Sequence, residues 1–144
     1  WEVGESNYDN NVSPSQPIAI TRLYPDLVVT SITTSQPDAN AGDMVTVAAT
    51  IKNQGGASTL YGFHNCLYFS ADNSITTADV YLSNTDIGAL AAGGETTINI
   101  IGQIPFGVNT GTNYLGVLTD CGSGLITESN EGNNVSIAQP INIL

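Results

Sequence analysis

A sixteen-residue stretch occurs twice in this chain. Glu5–Ile20 reads ESNYDNNVSPSQPIAI and Glu128–Ile143 reads ESNEGNNVSIAQPINI, with eleven identical positions, no gap and a constant offset of 123 residues. Repetition at a fixed period marks an array of similar units, and this period is the size of a domain rather than of a solenoid turn. The folding unit is therefore expected over residues 25–144. Residues 1–24 form an arm equivalent to the last strand of a preceding unit. A start at Trp1, inside the repeated pattern, is expected of a piece of a longer or processed chain.

The local signals are almost all β. Val45, Val47, Ala49 and Ile51 alternate with Thr46, Ala48, Thr50 and Lys52, a period of two with one buried face. Strand composition recurs over about 26–33, 44–53, 62–70, 79–88, 94–104, 112–120 and 133–143. Between these lie turn signals such as Asn53-Gln54-Gly55-Gly56 and Ala92-Gly93-Gly94. No segment sustains a helical apolar period. The chain is thus expected to be all-β, an immunoglobulin-like two-sheet β-sandwich. The N-terminal copy, about 11–21, is expected as an extra strand, with Val12, Pro17, Ile18 and Ile20 as the assembly residues. Pro17 and Pro140 within the repeated strand imply an edge position or a bulge.

Arg22 and Lys52 are the two basic residues, against thirteen acidic ones, for a net charge of −11. Nothing in such a chain could neutralise phosphates, which argues strongly against nucleic acid as a partner, and the charge argues against anionic lipid surfaces as well. Metal cations are the natural counter-charge; the plainer reading is that acidity keeps the protein soluble. No apolar run approaches the ~20 residues that cross a bilayer, so no membrane insertion is expected. Cys66 precedes one strand and Cys121 follows another. If those strands pair antiparallel the sulfurs can meet, and the bridge would contribute about 4 kcal/mol through loop closure. Two free buried thiols are the alternative. The cysteine pair, the scarcity of lysine and the abundance of Asn, Thr and Ser favour an extracellular or cell-surface, secreted setting.

From Pro25 onward the order of motifs becomes specific. Pro25-Asp26-Leu27-Val28-Val29 is followed by Ala41-Gly42-Asp43-Met44-Val45-Thr46-Val47, Ile51-Lys52-Asn53-Gln54-Gly55 and Leu67-Tyr68-Phe69-Ser70-Ala71-Asp72-Asn73. Then come Leu90-Ala91-Ala92-Gly93, Tyr114-Leu115-Gly116-Val117 and Glu128-Ser129-Asn130-Glu131-Gly132-Asn133-Asn134. This series resembles the CARDB domain, a bacterial and archaeal cell-adhesion-related module, over about 120 of the 144 residues. The resemblance implies an immunoglobulin-like fold and a place in large secreted or surface proteins, often in tandem. Two features depart from the usual pattern. One is the pair Cys66 and Cys121; the other is the short glycine-rich Cys121–Gly124, where the family more often has an acidic turn.

Two oxygen-rich segments are candidate calcium sites. Asp72, Asn73, Ser74 and Asp79 surround a short loop after a strand, the donor type a hard cation prefers, without the glycine and terminal glutamate of an EF-hand. The alternative is a polar loop whose Asp and Asn side chains hold its own turns. Asp120 with Glu128, Asn130 and Glu131, joined by Asn133 and Asn134, offers a second set around a turn. The arm's copy keeps Glu5, Asn7, Asn10 and Asn11, with Asp9 as a further acid. Here the alternative is that Glu128 and Asn134 satisfy backbone groups at the start of the last strand.

Catalysis finds little support. His64 is the only histidine, nothing places it beside a nucleophile and an acid, and no spacing singles out a pair among the thirteen carboxylates. Asn11-Val12-Ser13 and Asn134-Val135-Ser136 both satisfy the N-glycosylation sequon. The expected role is a non-catalytic extracellular structural module of a surface adhesin or filament, stabilised by calcium. Its partners are neighbouring copies of itself or adjacent repeats, joined through the N-terminal strand or in tandem, and cell-surface glycan or protein. The alternative is a carbohydrate- or protein-binding accessory domain of a secreted protein.

Overall fold

The structure, a computed structural model, describes residues 3, 4, 6–122 and 126–144. Glu5, counterpart of Glu128 in the arm, and Gly124 lie outside the described residues. Among the described residues eight strands follow one another: β1 (Leu27–Thr34), β2 (Asp38–Ala39), β3 (Met44–Asn53), β4 (Phe63–Ser70), β5 (Val80–Ile87), β6 (Glu95–Gln103), β7 (Gly111–Thr119) and β8 (Gln139–Ile143). They form a three-stranded sheet ordered β1-β3-β6 and a five-stranded sheet ordered β2-β8-β7-β4-β5. Every pairing is antiparallel except that of β2 with β8.

Alternation along β3 explains the first sheet. Val45, Val47, Ala49 and Ile51 are fully buried, and the register places Ile100 and Ile98 of β6 beside Val47 and Ala49. From the second sheet Phe63, Leu67, Phe69, Leu115, Val117, Ile141 and Ile143 close the same core. β4 departs from alternation because both its faces are covered. On the outer side Cys66 and Tyr68 pack with Cys121 and Ile75 in a second apolar cluster. Ile75 reaches back from the β4–β5 loop onto β7, where a Cβ on Gly116 would lie 2.4 Å from its Cγ1. A bare backbone at Gly116 is what lets the isoleucine seat.

Asn53 is fully buried at the end of β3 and explains the Asn53-Gln54-Gly55 motif. Its Oδ1 accepts from the N–H groups of Asp26 and Gly55, and its Nδ2 donates to the carbonyls of Ala57, Leu90 and Ala91. One amide side chain thereby ties β1 and two loops to one end of the sandwich. A Cβ on Gly55 would meet the backbone of Tyr24, Pro25 and Asp26 at 2.5 Å, so the chain can pass there only as glycine.

Two expectations need correcting. The stretch 133–143 is not one strand: Val135 makes an isolated bridge to Leu118, and regular pairing resumes only at Gln139. The described residues of the arm form no strand. Residues 11–21 pair with nothing in a ladder, and Val12, Pro17, Ile18 and Ile20 are exposed. The reason is occupancy, because the place beside β7 that this sequence would take is already held by β8. Pro140 sits within β8, outside the two residues that pair with β2, so its stretch has a partner only on the β7 side.

The chain enters this sandwich at one end and leaves at the other. Tyr24 and Pro25 lie at the proximal end, with the β3–β4 loop and the residues after β7; their carbonyls accept from Gly56, Ala57 and Ser129. Leu144 lies at the distal end, where its N–H donates to Ala39.

Candidate functional site

β7 and the disulfide place the first residue of the site. Thr119 ends the strand, Asp120 turns the chain with a φ of +49°, and Cys121 is bonded to Cys66 of the adjacent β4. The Cys66–Cys121 bridge therefore forms as the strand reading anticipated. The chain then returns through Ile126, whose N–H donates to Asp120 Oδ2 at 3.2 Å. Glu128 follows, buried, with Oε2 accepting the N–H of Leu27 at the start of β1. Its Oε1 accepts from Asn134 Nδ2 at 2.7 Å. Glu131 Oε1 accepts the N–H of Glu128 at 2.9 Å and completes the turn.

Carboxylate oxygens of Asp120, Glu128 and Glu131 come together here, all within 4.8 Å of one another. Burial pushes the Asp120 carboxyl above its ordinary value; the Glu131 charge adds to this, while the Ile126 N–H and His64 oppose it. Burial likewise raises Glu128, against the hydrogen bonds from Leu27 and Asn134 and with the charges of Glu131 and Asp120. Among the described residues no lysine or arginine pairs with any carboxylate. Among the described residues, the buried oxygens without a hydrogen-bond partner also gather at this end: Asp120 Oδ1 and the Oδ1 atoms of Asn133, Asn134 and Asn65, with Thr119 Oγ1. A buried, unpartnered carboxylate oxygen beside two further acids is a donor set made only of oxygen, which fits a hard divalent cation.

The domain model for CARDB matches residues 24–138. The chain belongs to the CARDB family. This CARDB domain is similar in structure to that of a Pyrococcus furiosus protein, solved in complex with di-metal ions. The TM-score is 0.61 at 16% identity, over 92% of this chain and 100% of that one. It is also similar to a domain of a candidate cell-surface protein from Methanosarcina acetivorans, with a TM-score of 0.60 at 23% identity, over 84% and 93% of the two chains. β-Glucosidase 3B of Thermotoga neapolitana shares the fold alone, at 12% identity; 83% of this chain matches 16% of that one. No curated protein sequence matches the chain.

The other candidate residues of this CARDB domain are placed elsewhere. Asn130 is exposed and its Oδ1 accepts from Gly132 N–H, closing its own turn. Asp72, Asn73, Ser74 and Asp79 lie at the distal end, at the opposite pole of the sandwich. Asp72 Oδ1 accepts from Ser74 N–H at 2.8 Å, and Asp79 Oδ2 accepts from the N–H and hydroxyl of Thr76. Asp79 feels a burial penalty, but hydrogen bonds from Ser70 and Thr76 outweigh it and lower its pKa. Both acids hold the turns of the loop that carries Ile75, the alternative that the sequence set beside calcium for this segment.

His64 Nδ1 contacts Asp86 Oδ1 at an exposed position, and no hydroxyl among the described residues is hydrogen-bonded to its ring. Asn134 is buried and bonded to Glu128, so only the exposed Asn11 sequon is accessible in the folded chain. Among the described residues no helix is long and apolar enough to cross a membrane.

Proposed function

We propose that this chain is a non-catalytic, extracellular link of a surface adhesin, in which sandwich domains follow one another and each last strand leads directly into the next domain. One contrast carries the reading. Ile141 and Ile143 of β8 are 1% and 2% exposed, while their counterparts Ile18 and Ile20 in the arm are 83% and 90% exposed. A sequence selected to fill a core and found bare belongs to a core formed by another domain.

Two experiments test this. In the first, the arm's sequence replaces β8 and its approach through Glu131→Tyr, Gly132→Asp, Ile137→Pro, Ala138→Ser and Asn142→Ala. The chimera should fold cooperatively; a chimera that does not fold would remove the arm's claim to be a terminal strand. In the second, residues 1–21 are deleted, and the sandwich should unfold at an unchanged temperature. Exchange of arms between copies is the competing arrangement, and it would show as filaments in electron microscopy that vanish with this deletion.

A bound cation belongs to the same reading. The Pyrococcus furiosus relative was solved with di-metal ions, and here Asp120, Glu128 and Glu131 supply an oxygen-only cluster of the kind calcium takes. A site of ~10⁻⁴–10⁻³ M affinity would be filled outside a cell. Calorimetric titration with calcium chloride should give one saturable event that Glu131→Gln weakens at least tenfold and Asp72→Asn leaves alone. Among the described residues the accessory-domain alternative finds no platform of stacked aromatics: Phe63 and Phe69 are in the core, Tyr68 is buried against Tyr81, and Tyr61 stands at the other end from Tyr81.

A further inference from the structure

The repeat offset sets the distance between links. Leu144, the last residue hydrogen-bonded in this sandwich, corresponds to Thr21. Within residues 11–24, the first whose backbone is bonded into this sandwich is Tyr24. Only Arg22 and Leu23 stand between the two positions, so the end of one link and the start of the next are within about 11 Å of each other. Loop side chains at the two ends fill a gap of that size. We infer that successive links do not swing on a tether but stack end to end, the distal face of one against the proximal face of the next. This inference rests on the tandem reading above.

The two faces carry the apolar residues such a joint requires. Leu23, Leu60 and Tyr61 on the proximal face, and Phe106 and Leu144 on the distal face, are all between 60% and 77% exposed. The proximal residues line an open cleft of about 240 Å³ together with Arg22 and Tyr24. Leu60 is the most telling of them. Its φ of +64° lies in the left-handed region, where a leucine is strained and an asparagine or glycine is at home. A strained and fully displayed leucine is hard to explain by the stability of an isolated domain. It is explained by a surface that must offer an apolar side chain at that point.

The loop holds these side chains outward in a fixed geometry. Leu60 N–H donates to Ser58 Oγ, Thr59 Oγ1 donates to the Tyr61 carbonyl, and Leu90 N–H donates to Thr59 Oγ1. On the distal face the Phe106 ring lies over Gly42. Charge also matches. Arg22, one of two basic residues in the chain, sits at the joint over the Tyr24 ring at 5.0 Å, and the distal end carries Asp38 and Asp43. That pairing offsets part of the repulsion between links that are strongly acidic.

A second copy of residues 22–144 fused directly after Leu144 of the full chain recreates this joint with known sequence. Residual dipolar couplings of the two-link protein should fit one alignment tensor, as for a rigid rod. Leu60→Asn with Tyr61→Ser in the second copy should leave each domain folded, since the first change suits the backbone and the second is exposed, yet split the couplings into two tensors. Insertion of five Gly and Ser residues after Leu144 should do the same. Independent tumbling of the unaltered fusion would overturn the stacking, and so would a joint that stays rigid in the double variant. Failure of the tandem reading is a separate outcome, shown by the five-substitution chimera failing to fold.

Discussion

The Glu128 carboxylate accepts the backbone N–H of Leu27, joining the turn before the last strand to the first residue of β1 across 101 positions of sequence. Its other oxygen is held by Asn134, which is itself fixed where its carbonyl accepts Thr119 N–H. The acidic motif is therefore a clasp at the proximal end, tying the start of β1 to the turn before the last strand, as well as one wall of the carboxylate cluster.

Removing the clasp leaves the Leu27 N–H and the Asn134 amide buried without a partner. Each unsatisfied buried donor costs about 1–3 kcal/mol. Glu128→Ala should therefore destabilise the domain by about 2–4 kcal/mol, read from urea unfolding at pH 7 with EDTA present. A loss below 0.5 kcal/mol, the size of an ordinary surface change, would show that the clasp contributes nothing.

The cluster makes stability depend on pH with a definite sign. Asp120 and Glu128 have folded-state pKa values above their ordinary 3.8 and 4.5. The stability contributed by such groups is complete below the unfolded values and is lost as pH rises through the raised folded ones. Metal-free protein should thus melt at a higher temperature near pH 5 than at pH 7. Calcium should reverse the trend by stabilising the ionised cluster at neutral pH. Asp43 and Asp79 shift the other way, so their loss of stability begins only at lower pH, as it falls through their folded values. In Glu131→Gln the pH dependence should shrink but persist, because burial still raises Asp120 and Glu128, while the calcium effect should be largely lost; a calcium effect undiminished in this variant would take the cation away from the cluster.

The disulfide has a stabilising and a positioning role that can be separated. Cys66 and Cys121 close a loop of 55 residues, and opening it should cost about 4 kcal/mol. Cys121 also follows Asp120 directly, so reduction should free that carboxylate as well. Cys66→Ala with Cys121→Ala is expected to lower the urea midpoint and to weaken calcium binding. Calcium binding that survives intact in the still-folded double variant would show that β7 alone holds Asp120.

Ile75 gives a test of what the β4–β5 loop is for. It is buried on the outer face of the five-stranded sheet, and Ile75→Ala should cost about 2–4 kcal/mol. Gly116→Ala should cost a comparable amount by pushing the isoleucine out. Thermal melts of Asp72→Asn should show a far smaller change, whether calcium is present or not.

Much of this architecture is legible in the chain because period-two alternation has one physical cause. β1, β3, β4, β5, β6 and β7 lie within about a residue or two of the expected strands; β3 and β6 show the alternation of one buried face, while β4, covered on both faces, is marked by its apolar and aromatic composition. The internal match of Glu5–Ile20 with Glu128–Ile143 puts a domain-sized spacing of 123 residues in the sequence itself, and a net charge of −11 with two basic residues argues against phosphate-bearing partners. What composition and spacing could not rank were the two oxygen-rich segments, because Asp72 and Asp79 look as good as Asp120 and Glu128 when read along a line. Tertiary structure separates them: the first pair closes the turns of an exposed loop, whereas the second comes within 4.8 Å of Glu131, with Asp120 Oδ1 buried and unpartnered among the described residues. The arm makes the same point. Its sequence specifies a strand, but a strand is a relation to a neighbouring edge, and in this domain β8 has taken the edge that the arm would need.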